Sequence, residues 1–353
     1  MTIIANDNRD FDESGDRSER NDIDVRAEFA AFGVSRGTLS ATEFAELLEK
    51  TGAPLVGVTG RRHIVPEALT AVELAARTAL RALIAASTED GRPTYVATGL
   101  AIGADQLAAK LVLEARAEAA ARGEASPLRL VALLPMSVEE YRRDFSTKPG
   151  TGAAASTSEL DDFNRYLASS GLVVEIGPTA SNVERAERGE PADRMAQYAA
   201  LGDFLVERSR LLWAFWSGDA SNVKPGGTTD VVLRKSRRLA SVGYLENAEN
   251  IGRAENHESA GNVRNDGNTG NTENIGNTEN AAGLKAEAIC CVATPEVLRV
   301  KNPDGTKTRV PESTENAGKL AFWTSPLDDA PPTFESPETV AERLKRFVKT
   351  WNA

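Results

Sequence analysis

The sequence predicts an α/β fold: an open, doubly wound, mostly parallel sheet with helices on both faces. Three observations predict it. Short, predominantly apolar runs recur at 54–58, 94–97, 128–134, 172–176, 211–216 and 288–293, as strands covered on both faces do. Longer segments with helical spacing of apolar residues lie between most of them. Glycine-bearing loops follow several of the runs, at the edge where such sheets hold ligands.

Taken in order, residues 1–40 are expected to form a disordered acidic tail. Through Asp24 they are rich in Asp, Asn, Arg and Ser, with too few apolar residues to offset the entropy of ordering. A helix over 41–50 is stopped by Thr51-Gly52. Residues 41–240 then read as one domain. The strand at 54–58 leads into a helix over 65–86, with Leu69, Val72, Ala76, Leu80 and Leu83 on one face. The strand at 94–97 leads into a loop and a helix over 104–122. The strand at 128–134 is closed by Pro135. A helix over 160–168, a strand at 172–176, a helix over 192–208, a strand at 211–216 and a helix over 228–239 complete the series. Its crossovers should be right-handed.

The rhythm breaks at 241–284, which is rich in Asn, Glu, Gly and Thr and nearly repeats itself, 247–252 against 271–276. It is expected to be a disordered low-complexity insertion. Residues 285–353 should complete the same domain. They supply a last core strand at 288–293 and a hairpin, 297–300 with 306–310, around Asn302-Pro303-Asp304-Gly305. Ser336-Pro337-Glu338 opens a final helix that docks Val340, Leu344, Phe347 and Trp351.

Composition narrows the function. The chain of 353 residues has a formal net charge of -11 and is 41% hydrophobic. That acidic balance argues against a general nucleic-acid or membrane-surface binder. The two cysteines, Cys290 and Cys291, are adjacent and read as small apolar residues of a buried strand, suited to a reducing compartment. Two histidines, His63 and His257, cannot supply a His-based metal cluster. No stretch reads as a membrane span, and the polar, acidic N-terminus does not read as a secretion signal. The expectation is a cytoplasmic protein with neither metal nor cofactor.

Three loops are candidate ligand sites. After the first strand come Thr59, Gly60, Arg61 and Arg62. The glycine permits close approach, and either arginine offers a phosphate contact. After the second strand, the loop from Thr98 through Gly99, Gly103 and Ala104 to Asp105 enters a helix and offers backbone amides to an anion. Asp105 could bond a ribose hydroxyl or cap the helix. After the fifth strand come Gly226, Gly227, Thr228, Thr229 and Asp230, again at a helix start. Pro135 marks the same edge after the third strand. Weaker candidates are Arg142 and Arg143, and the face formed by Arg194, Gln197 and Tyr198. Trp213 and Trp216 read as core.

In this order the loops resemble the SLOG superfamily, which includes the lonely-guy phosphoribohydrolases, the DprA DNA-processing proteins and nucleotide sensors. The matching stretches are 56–62, 98–105, 130–135 with 141–145, and 225–230, with 288–295 as a last strand. The resemblance implies a Rossmann-like domain, often homodimeric, that binds nucleotides or their derivatives. The hydrolase members carry Pro-Gly-Gly-x-Gly-Thr-x-x-Glu, whose glutamate does acid–base work. Here the positions three after Thr228 and Thr229 are Val231 and Val232, which exchange no proton. Asp230 is a shorter acid at a shifted position.

The expected function is therefore binding of a nucleotide or nucleotide-derived phosphate ligand by a sensor or regulatory module. The alternative is an N-glycosidic hydrolase of nucleoside monophosphates or NAD-like substrates, with Asp230 or Asp105 as the acid. The acidic balance opposes a nucleic-acid role.

Overall fold

A computed structural model describes residues 38–146, 157–221, 223–242, 286–303, 305–325 and 332–352. The chain enters with strand β1 (Thr38–Ser40) and helix α1 (Ala41–Thr51). Ser40 and Glu43 form a capping box at the start of α1, and Gly52, at φ 63°, ends it. There follow β2 (Leu55–Gly60), α2 (Leu69–Asp90), β3 (Thr94–Thr98), α3 (Ala104–Ala121) and β4 (Leu128–Leu134). Next come α4 (Val138–Ser146), α5 (Thr157–Ser169), β5 (Leu172–Glu175), α6 (Ala180–Glu187), α7 (Arg194–Arg208), β6 (Leu211–Trp216) and α8 (Thr228–Val242). Last are β7 (Ala288–Ala293), the pair β8 (Val297–Lys301) and β9 (Lys307–Pro311), β10 (Leu320–Trp323) and α9 (Pro337–Lys349).

Eight strands form one sheet in the order β1-β5-β4-β3-β2-β6-β7-β10. All neighbours are parallel except β7 and β10, which pair Leu320 with Val292. Strand residues alternate between two cores. Val56, Val58, Leu130, Trp213 and Cys290 pack on one side. Leu55, Leu133, Leu212, Trp216 and Cys291 pack on the other. Helices α2, α3, α5 and α9 bury the first face, and α1, α7 and α8 the second. The predicted two-faced parallel sheet is therefore present, and the adjacent cysteines lie wholly buried within it.

Five elements differ from expectation. Thr38–Ser40, assigned to the tail, form edge strand β1 beside β5. With only Leu39 buried, the strand carries no apolar pattern to read. Strand β10 and helices α4 and α6 were also unassigned. Helix α2 begins later than expected, after a 3-10 turn over Pro66–Ala68, and ends at Gly91. The expected tail over 1–37 and the insertion over 243–284 lie outside the described residues.

The topology fixes where a site belongs. From central β2 the chain steps outward through β3, β4 and β5, then returns to β6 and β7 on the opposite flank. The crevice beyond the carboxyl ends of β2 and β6 is the topological switch point.

Candidate functional site

Strand β2 runs to Gly60, where a Cβ would lie 2.3 Å from the Ala104 Cβ and 2.8 Å from that of Phe215. This glycine lets β2 close on β6 and on the first residue of α3. Gly103 has φ 92°, and a Cβ there would stand 2.4 Å from the Arg62 carbonyl oxygen. The Ala104 amide donates to the Arg61 carbonyl at 3.0 Å. The start of α3 thus seats on the β2 loop, and one amide expected to face an anion has a protein partner. Thr59 is a buried strand residue.

Gly99 and Leu100 lie buried, Leu100 in the left-handed region at φ 52°. Beneath them sits the buried Asp105. Burial pushes its carboxyl up to about 7, against the backbone amides of Ala101 and Gly99 and the Arg62 charge. Asp105 therefore braces its own loop.

Arg61 and Arg62 separate in role. Arg61 turns inward, with a 3.0 Å ion pair to Glu296 and a hydrogen bond to Ser217. Glu312 accepts from the Ser217 hydroxyl and the Glu296 amide. This network links the ends of β2 and β6 to the residues flanking β8 and β9. Arg62 turns outward, 5.4 Å from the centre of the Tyr198 ring.

Tyr198 anchors a second cluster on α7. Its hydroxyl donates to Asp144, which also receives Arg194 at 2.5 Å, while Arg194 reaches Glu140 at 3.2 Å. Gln197 donates to the Pro135 carbonyl at 2.9 Å and so ties the end of β4 to the same helix. The face read from the spacing of Arg194, Gln197 and Tyr198 is thus real and looks onto the carboxyl edge. Arg142 bonds Asn164 on the surface.

The third loop meets α7 from its other side. Gly226 has φ 70°, and a Cβ there would lie 2.5 Å from the Tyr198 carbonyl carbon. Asp230 accepts from the Gly226 amide at 2.9 Å and pairs with Arg234 at 3.2 Å. Thr229 is buried and accepts from the Trp216 indole at 3.1 Å. Gly227 and Thr228 remain partly exposed. The three loops therefore converge on α7 and Arg62, with much of their polar capacity engaged within the protein.

An open cavity of about 480 Å³ lies beside this junction, lined by Arg62, His63, Ile64, Pro66, Leu69, Gly103, Val297 and Arg309. Hairpin β8–β9 forms its outer wall. It is rooted by the Val297 amide on the His63 carbonyl at 2.8 Å and the Val65 amide on the Pro295 carbonyl at 3.0 Å. Of the predicted residues, Arg62 and Gly103 reach this cavity. His63 and Arg309 were not singled out; the only sequence signal was the basic hairpin itself.

No protein-family model matches the chain, and no curated protein matches it. The chain is similar to a solved structure, that of DNA processing protein A (DprA) from Streptococcus pneumoniae, 16% identical over 54% of this chain and 48% of that one, with a TM-score of 0.28. The match spans about half of each chain, and so loose an overlap carries no argument about function. Among the described residues no group of three or more His, Cys, Asp or Glu is placed to hold a metal ion. No described helix is long and apolar enough to cross a membrane.

Proposed function

We propose that the protein binds a nucleotide or nucleotide-derived phosphate ligand in the cavity beside Arg62, as a sensor or regulatory module. One observation carries the reading. The cavity sets Arg62 and Arg309 over a wall of Ile64, Pro66, Leu69 and Val297. Cationic groups beside an apolar wall suit a ligand with a phosphate at one end and a flat, weakly polar ring at the other. The volume falls in the range of small-molecule sites, roughly 300–1,000 Å³.

Binding without turnover is favoured by the engagement of the acids. Asp230 holds the Gly226 loop and pairs with Arg234, and Asp105 braces residues 99–101. A second reading, N-glycosidic hydrolysis, draws support from Asp105 alone, because a carboxyl that titrates near neutrality suits a general acid.

One experiment separates the two. Calorimetric titration with AMP, ADP, ATP, their guanine counterparts, NAD and cyclised NAD derivatives should find at least one binder. Its affinity should fall about tenfold in Arg62→Gln, the loss of one charge-assisted contact. Silence across the panel sinks the reading. Free base accumulating during the titration, and abolished in Asp105→Asn, would favour hydrolysis over sensing.

A further inference from the structure

Hairpin β8–β9 carries a charge pattern that the fold does not use. Its register sets Lys301 opposite Lys307 and Arg299 opposite Arg309. Like charges directly opposite each other weaken an antiparallel pair by a few tenths of a kcal/mol or more. The chain has 52 acidic residues available against 41 basic ones, so cross-strand neutralisation was open to it. Yet none of Lys301, Lys307 and Arg309 has an acidic partner among the described residues.

Alternation along a strand decides which way this pattern faces. Positions 297 and 301 of β8 and positions 307 and 309 of β9 share one face of the ribbon. Val297 and Arg309, both of that face, line the cavity. The basic face is therefore continuous with the cavity wall and runs outward from Arg309 to Lys307 and Lys301. Val300 and Val310 occupy the opposite face and are exposed.

We infer that this face reads phosphate number: it takes the polyphosphate chain of a nucleoside diphosphate or triphosphate whose first phosphate sits at Arg62 and Arg309. The inference rests on the nucleotide reading of the cavity and specifies its ligand class. Two positions on one strand face lie about 7 Å apart. A chain of two or three linked phosphoryl groups spans that distance, and flexible lysine stems close what is left. The bound anion also relieves the repulsion between Lys301 and Lys307. A ligand with a single phosphate stops at Arg309.

The test titrates AMP, ADP and ATP, and the guanine series, into the full chain and into Lys301→Gln/Lys307→Gln. Both lysines are exposed, so the variant should fold, which circular dichroism verifies. For the wild type, ATP should bind about tenfold more tightly than AMP, as two exposed ionic contacts can supply. In the variant the ATP affinity should fall to near that of AMP, while AMP binding stays as it was. Equal affinities in the wild type overturn the inference, whether or not a single-stranded oligonucleotide binds the ribbon. So does an ATP preference that survives the double substitution. In either case the nucleotide reading stands, because binding itself is seen. If no nucleotide binds the wild type, that reading fails and the inference falls with it.

Discussion

Asp105 shows how one residue can be read correctly in place and differently in role. Its position in the first turn of α3 suggested a ribose contact or a cap, and the folded chain holds it beneath residues 99–101. Burial raises its carboxyl from 3.8 to about 7, so the folded protein binds a proton there that the unfolded chain releases. The contribution to stability is complete below the unfolded value and is lost as pH rises through the folded one. Urea unfolding at about pH 5 and about pH 8 should therefore show Asp105→Asn losing less stability than the wild type over that interval. The difference should be on the order of a few kcal/mol. Equal losses in the two proteins would mean that the carboxyl is ionised throughout. The glycines teach the same lesson. Gly60 and Gly103 are demanded because a Cβ at either would come within 2.3–2.4 Å of a neighbouring atom, and close packing and close ligand approach leave the same mark in a sequence.

At the scale of elements, the hairpin is joined to the sheet by an ion pair that the sequence concealed. Arg61 and Glu296 are 11% and 18% exposed and 235 positions apart. Glu296 already suffers from burial, which raises its carboxyl, and from the nearby Glu312. Arg61→Met should therefore destabilise the fold by about 2–4 kcal/mol, because it strands a buried carboxylate. Arg61→Met/Glu296→Leu should recover most of that loss in thermal or urea unfolding. If the double variant is no more stable than the single, the pair is not what holds the hairpin root. Legibility followed the strength of local pattern. The strands at 128–134, 211–216 and 288–293 were read at their observed bounds, because each is almost wholly apolar, Arg129 apart, and clearly ended. Strands β1 and β10 have three and four residues and exist by pairing at opposite edges of the sheet. Such pairing is a tertiary fact that no window of sequence contains. In the site, the carboxyl edge and the face of α7 were legible from glycine placement and helical spacing. The cavity was not, since its walls come from segments more than 200 positions apart.

For the whole molecule, a net charge of -11 and the proposed anionic ligand stand in apparent conflict, and distance resolves it. At physiological ionic strength the screening length is about 8 Å. Carboxylates scattered over the surface are felt weakly at the cavity, whereas Arg62 and Arg309 line it directly. The local field should therefore govern equilibrium binding even in an acidic protein. It follows that ATP affinity should fall as salt is raised from about 0.1 M to about 0.5 M, where screening reaches even close pairs. The slope should be steeper for ATP than for AMP, and Lys301→Gln/Lys307→Gln should bring the two together. Calorimetry at a series of salt concentrations measures this. An affinity that rises with salt would mean that the overall negative charge dominates at the cavity. The basic ribbon would then be no more than a solvated surface.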